Sequence, residues 1–236
     1  MFVTFLRMNP FYIDRYYLIL ILPCLLFSMI AQGLVKSSFN KYSKIQNARG
    51  LTGYDVAQKI LYSYDIRQVR VERIAGQLTD HYSPNEQVLR LSDSVYDSSS
   101  IAALGVAAHE AGHAIQFEQG YLPGKIRRAL VPVAQIGSNA GPLLAILGLA
   151  FSWGLLTKIG IILYTGAVLF FLVTLPVEFN ASARAVQILD NGYLSQEELK
   201  GAKSVLRAAA LTYVASAASA IASLMRLVLL DRDRRR

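Results

Sequence analysis

The chain has three histidines and one cysteine among its 236 residues, and only 17% of it is charged. Each scarcity excludes something. A lone cysteine, Cys24, forms no internal disulfide, so no disulfide framework holds the fold and the redox compartment is left unconstrained. So little charge beside 53% hydrophobic residues, with a positive mean hydropathy, excludes an ordinary soluble domain. Internal repeats and low-complexity linkers are absent as well.

What is present is apolar and arrives in blocks. "YYLILILPCLLFSMIAQGLV" (16–35), "VPVAQIGSNAGPLLAILGLAFSWGLL" (131–156), "IGIILYTGAVLFFLVTLPV" (159–177) and "VLRAAALTYVASAASAIASLMRLVLL" (205–230) each approach or exceed the roughly 20 residues that cross a bilayer. The first and third read as spans. The second carries Gln135 and Asn139, and the fourth is an Ala/Ser helix with Arg207 and Arg226 near its ends, so these two are candidates to pack against protein instead. Residues 1–35 are longer than a secretory signal core and lack an A-x-A site, which makes them a retained membrane anchor.

The net charge of +8 is distributed as membrane topology rather than as a nucleic-acid surface, so no nucleic-acid partner is expected and membrane lipid is. Lys36, Lys41, Lys44 and Arg49 follow the first span and by the positive-inside rule hold that side in the cytoplasm. Residues 36–130 then form a cytoplasmic domain and 131–177 an out-and-back hairpin. The tail "DRDRRR" should stay inside too, which conflicts with a simple fourth span. Either that segment does not cross, or the tail breaks the rule.

The one long polar stretch precedes two of the histidines and reads as a small mixed domain. In "LTGYDVAQKILYSY", Thr52 and Asp55 make a capping-box pattern ahead of Val56, Ile60 and Leu61 at helical spacing. "QVRVERIA" and "EQVLRLSDSVY" alternate as strands, with "SPNE" as a turn between them, so the two are expected side by side. Asp97 to Ser100 offer N-caps for the helix that follows.

That helix is "IAALGVAAHEAGHAIQ". His109 and His113, four apart, share one face and can aim at one ion, and Glu110 beside them can reach a water on it. This is the content of H-E-x-x-H: two neutral imidazoles bind zinc and the carboxylate acts as general base toward a water whose pKa the metal lowers to about 7. Ala108, Ala111, Gly112 and Ala114 leave room for another element to pack closely, as a buried site requires. Two unpartnered histidines in so apolar a helix would be costly. A catalytic zinc takes three protein ligands. Two candidates stand for the third: His81 in "LTDHYSP" and Glu178 in "PVEFNASARA", the latter just after an apolar span where an ionisable group needs a partner. His81 is also placed to donate to a developing oxyanion, a role open to Tyr82, Tyr96 and Tyr193 as well.

With "GLTGYDVAQKIL", "LTDHYSP", "VLRLSDSVYDSSSIAALGVAAHEAGHAIQ" and "LPVEFNASARA" in this order, the chain resembles the bacterial YugP-type membrane zinc metallopeptidases over most of its length. The resemblance implies a membrane-embedded zinc endopeptidase acting on protein or peptide substrates, with His109, His113 and Glu178 as ligands of one Zn2+ and Glu110 as base. More distantly it is similar to the HtpX and prenyl-protein protease group of gluzincin-like enzymes. There an aspartate four residues past the ligand glutamate orients a histidine; here that position is Ser182, so the surrounding shell must differ, with Asn180 a second candidate. By analogy with that group, "QVLRLSDSV" would be the strand edge that takes the substrate.

The expected architecture is therefore a mainly α membrane protein with a small α+β zincin-like cytoplasmic domain, its H-E-x-x-H helix packed against membrane-associated helices. It divides into a 1–35 anchor, a 36–130 zincin-like domain, a 131–177 transmembrane hairpin, a 178–204 helix with the third ligand, and a 205–236 apolar helix with a basic tail. With no ATPase segment in the chain, cleavage is expected to be ATP-independent. The competing readings are an intramembrane-cleaving metalloprotease and a membrane scaffold with a structural or vestigial zinc site. The first is weakened by a histidine helix too short and polar to face lipid. The second is weakened by Glu110, for which a structural site has no use. A transporter is disfavoured by spans without paired charges or broken-helix symmetry. Substrate identity and oligomeric state are not written in the sequence.

Overall fold

The computed structural model describes residues 14–235. Its elements are α1 (Tyr17–Tyr42, opening on one π-helical turn), α2 (Gly53–Ser63), β1 (Arg70–Ile74), β2 (His81–Ser83), β3 (Val88–Ser92), α3 (Asp93–Tyr96), α4 (Ile101–Glu118), α5 (Leu122–Ala150), α6 (Gly154–Asp190) and α7 (Gln196–Arg234). The protein is mainly helical, and by length and composition α1, α5, α6 and α7 are each able to cross a membrane. The chain divides into two compact units.

The helical unit comprises the described part of Met1–Ile30 with Ile126–Leu175 and Tyr213–Arg236. Small residues set its packing. A Cβ on Gly141 of α5 would lie 2.9 Å from the Tyr164 nitrogen and 3.0 Å from the Gly160 oxygen of α6. The two backbones therefore touch, as glycine permits between membrane helices. Gln135 and Asn139 of α5 are exposed rather than turned into this packing, contrary to the expectation that they mark a helix buried against protein.

Charge gathers at one end of this unit. Asp14 accepts two hydrogen bonds from Arg226, at 2.9 and 2.6 Å, and Asp233 takes bonds from Arg15 and the Tyr16 hydroxyl, each 2.5 Å. Arg234 donates to the Gly148 carbonyl at 2.8 Å, near the end of α5, and Arg235 pairs with Asp231. The start of α1, the end of α5 and the end of α7 therefore meet, and two of the tail's basic groups, Arg234 and Arg235, are bound to acceptors.

The mixed unit comprises Ala31–Lys125 and Pro176–Thr212. α2 begins at the capping box read from the sequence: the Thr52 hydroxyl accepts from the Asp55 N–H at 3.1 Å and Asp55 accepts from the Thr52 N–H at 2.9 Å. Its apolar face buries Val56, Ile60 and Leu61 in a core shared with Leu89, Leu91, Leu104, Ile115, Leu189 and Leu199. Ser100 caps α4, its hydroxyl accepting from the Ala103 N–H at 3.2 Å.

The sheet has the order β1-β3-β2. β1 and β3 are neighbours, as the alternation predicts, but they run parallel, with Val71 opposite Leu89. The SPNE turn instead joins β3 to β2, an antiparallel strand of three residues in which Tyr82 faces Leu89. β3 is thus the central strand, with Val88, Leu89, Leu91 and Ser92 buried. Its edges are both occupied, which corrects the expectation that "QVLRLSDSV" offers an edge to substrate; the edges are β1 and β2.

Candidate metal centre

His109 and His113 lie one turn apart on α4, with ring centroids separated by 4.8 Å. They project together because α4 is regular and their spacing is one helical turn. Against them stands Glu178 of α6, only 1% exposed. Its Oε2 is 3.3 Å from His109 Nε2 and 3.5 Å from His113 Nε2. One donor atom from each residue falls within 4.8 Å of the others, forming a group that could hold one metal ion. The approach depends on the small residues around the histidines: Ala108, Ala111 and Ala114 are buried, and a Cβ on Gly112 would come 2.9 Å from the Ala181 carbonyl oxygen of α6.

The outer nitrogens of both rings are tied down. His109 Nδ1 is 3.1 Å from the Ser182 hydroxyl and His113 Nδ1 is 3.0 Å from Gln116 Oε1. The Gln116 amide nitrogen donates to the Val177 carbonyl at 2.8 Å and to Asn180 Oδ1 at 2.9 Å, and Asn180 Oδ1 also accepts from Arg184 Nε at 2.8 Å. Ser182 and Asn180 therefore both stand behind the histidines, Ser182 directly and Asn180 through Gln116. Gln116, buried and three residues past His113, was not singled out by sequence reasoning, although the i, i+3 spacing that pairs it with His113 was there to read.

The donor set fits a divalent cation. Zinc bonds of about 2.0–2.1 Å in a tetrahedron leave neighbouring ligand atoms about 3.3 Å apart, close to both Glu178 distances. The local field has the right sign. Burial works against charging His113, yet its bond to Glu178 and the charges of Glu110 and Glu178 outweigh that and hold the imidazole above its usual pKa. The position therefore favours positive charge.

Glu110, next to His109, is half-buried, so water can reach it. His81 is not part of the three-residue group; it lies on β2 with Nδ1 2.9 Å from the Thr79 carbonyl. Its neighbour Asp80, also missed in the sequence, accepts from the Ser92 N–H at 2.7 Å and the Ser92 hydroxyl at 3.0 Å, pinning the start of β2 to the end of β3. Burial raises the Asp80 pKa above the usual carboxylate range against those bonds, with a further push from Glu110. Tyr82 meets the Phe117 ring edge-on at 6.1 Å. Tyr96 stacks near Tyr54 at 5.0 Å with Arg73 over its ring, and Tyr193 packs on the core.

Comparison with known proteins agrees with zinc as the ion. Residues 17–232 match the family described as "putative neutral zinc metallopeptidase". The chain is 44% identical over 215 residues to the "putative membrane protease YugP" of Bacillus subtilis (strain 168), covering 91% of this chain and 96% of that protein. No solved structure matches it. The chain belongs to this zinc metallopeptidase family, and zinc is the ion that its His109, His113 and Glu178 group fits.

Proposed function

We propose that the protein is a membrane-embedded, zinc-dependent endopeptidase whose zincin-like domain, residues 36–130 with the 178–204 helix, hydrolyses peptide bonds in protein or peptide substrates at the cytoplasmic face. Residues 14–35, 131–177 and 205–235 form its membrane part; residues 1–13 of the anchor read over 1–35 lie outside the described residues. The observation that carries this reading is the pairing of a three-ligand group, its Glu178 buried and its two histidines half-buried, with a half-buried carboxylate, Glu110, beside it.

His109, His113 and Glu178 hold the ion, and Ser182 and Gln116 orient the two rings. Bound zinc supplies Lewis acidity, which makes water a nucleophile near neutral pH. Glu110 takes the proton of the attacking water on its carboxylate and returns it to the leaving amine. The substrate adds as a strand along the outer edge of β2, which Asp80 pins and which carries His81 and Tyr82, the candidates for donation to the oxyanion.

All three ligands belong to the mixed unit and none to 126–175, which favours cleavage at the membrane face over cleavage inside the bilayer. The basic groups Lys36 and Lys41 in the last turns of α1, Lys44 and Arg49 after it, and Lys125, Arg127 and Arg128 at the start of α5, favour the cytoplasm for that face. The C-terminal tail then emerges on the opposite face, its charge offset by the pairs Arg226–Asp14, Arg15–Asp233 and Arg235–Asp231. Lipid contacts the exposed apolar residues of α1, such as Leu25, Leu26 and Met29.

The test is zinc per chain and hydrolysis of an unfolded protein such as casein, measured on wild type and Glu110→Gln in lipid nanodiscs. Glu110→Gln is expected to keep the metal and lose about 10²–10⁴-fold in rate. A variant as fast as wild type would leave Glu110 without a catalytic role and the zinc as a structural ion.

A further inference from the structure

The hydrogen bonds behind His113 can run in only one direction, and the residue that fixes the direction is remote from the metal. Arginine has five N–H donors, no acceptor, and does not lose its proton in proteins. Arg184 Nε therefore donates to Asn180, which must present its oxygen there. That oxygen and the Val177 carbonyl are both acceptors, so Gln116 must turn its amide nitrogen to them and its Oε1 to His113. An amide oxygen cannot donate. His113 Nδ1 therefore carries a proton and gives it to Gln116, at 3.0 Å, and the ring's free lone pair falls on Nε2, the atom 3.5 Å from Glu178.

We propose that Gln116 is a positioning residue that holds His113 in its Nε2-ligating tautomer, and that Asn180 and Arg184 lock the orientation of Gln116 from behind. This rests on the zinc reading of the site. Arg184 also donates to Gln119 at the end of α4, at 2.7 Å, so the same side chain bonds both helices that build the site. Among the described residues His109 has no equivalent relay: Ser182 is a hydroxyl that donates or accepts, and its contact leaves the tautomer of that ring to the metal.

The experiment uses the full chain in detergent or nanodiscs, loaded with zinc. Affinity is measured by chelator competition for wild type, Gln116→Met, Arg184→Met and Arg184→Lys. In parallel, histidine-selective 15N spectra follow the imidazole N–H signals, which are easily assigned because the chain has three histidines. Wild type is expected to show a water-protected Nδ1–H on His113. Gln116→Met should lose that signal and about 10–100-fold in zinc affinity, the range known for outer partners of metal ligands. Arg184→Met should weaken binding less, and Arg184→Lys, which keeps a donor facing Asn180, should recover part of the loss. Melting in the presence of chelator measures what each variant loses as a fold; Gln116→Met and Arg184→Met should both melt somewhat lower, and the loss of zinc affinity together with the His113 N–H signal in Gln116→Met, at a melting temperature still far above that of the assay, separates positioning from folding.

Gln116→Met with wild-type affinity and an intact His113 N–H signal would overturn the relay and leave the zinc site standing. Wild type that takes up no zinc would overturn the metal reading and the relay together.

Discussion

The two halves of α6 handle polar side chains differently. Before Pro176, the hydroxyls of Thr165 and Thr174 turn back on carbonyls of their own helix, Ile161 and Phe170, each at 2.8 Å, and Thr157 does the same toward Trp153 at 3.4 Å. After it, Glu178, Asn180 and Ser182 all reach across to α4. A segment apolar enough to cross a membrane is suited to lipid when its polar groups are satisfied locally, since no water is there to do so. A segment built to hold an ion gives up that independence and depends on its neighbour. Zinc affinity should therefore tolerate polar changes in the first half that it cannot tolerate in the second.

The largest expected effect is at the residue with the most cross-helix obligations. Glu178→Gln removes the carboxylate from the cluster and should cost more zinc affinity than the 10–100-fold typical of a partner outside the ligand set, read as metal per chain after gel filtration. Zinc retained by this variant would move the third ligand elsewhere and dissolve the contrast between the two halves.

Next is the contact that brings the helices together. A side chain at Gly112 would press on the Ala181 backbone, 2.9 Å from the nearest possible Cβ, and backbone cannot rotate away. Gly112→Val should lose about 1–3 kcal/mol of stability through overpacking and should also lose zinc, because moving α6 outward carries Glu178 and Ser182 with it. A melt and a metal assay on the same sample check both. Loss of stability with zinc affinity intact would mean that the helices can separate without opening the site.

How much of this was legible beforehand divides along the range of each interaction. The Thr52 capping box, the Ser100 cap and the two histidines facing one way all follow from spacings of three or four residues, and the chain itself displays them. β2 and α3, of three and four residues, are too short for either period to register. Residue chemistry left His81 and Glu178 as rival third ligands; only the packing of α6 on α4 sets Glu178 among the histidines. Asp80 and Gln116 stayed hidden because a carboxylate or an amide carries no signal until its partners are in place. The ion pairs of Asp14 with Arg226 and of Asp233 with Arg15 were hidden for a related reason: counting charges could not bring together residues more than 200 positions apart.

The smallest effects give the sharpest test of the contrast, because they compare two hydroxyls on one helix. Thr165→Val deletes a bond that the helix makes with itself, at a position where valine matches the shape. Its cost in stability should be within about 0.5 kcal/mol, and zinc affinity should not change. Ser182→Ala deletes a contact of similar length, but one that orients His109. It should leave the melt in chelator unchanged and still weaken zinc binding, toward the lower end of the 10–100-fold range because a single hydroxyl is lost and no relay stands behind it. The two variants thus remove the same chemical group and are expected to separate in metal affinity alone. If both leave affinity unchanged, Ser182 is only a neighbour of His109, and the ring is held by the ion and by Glu178 without help from its outer nitrogen.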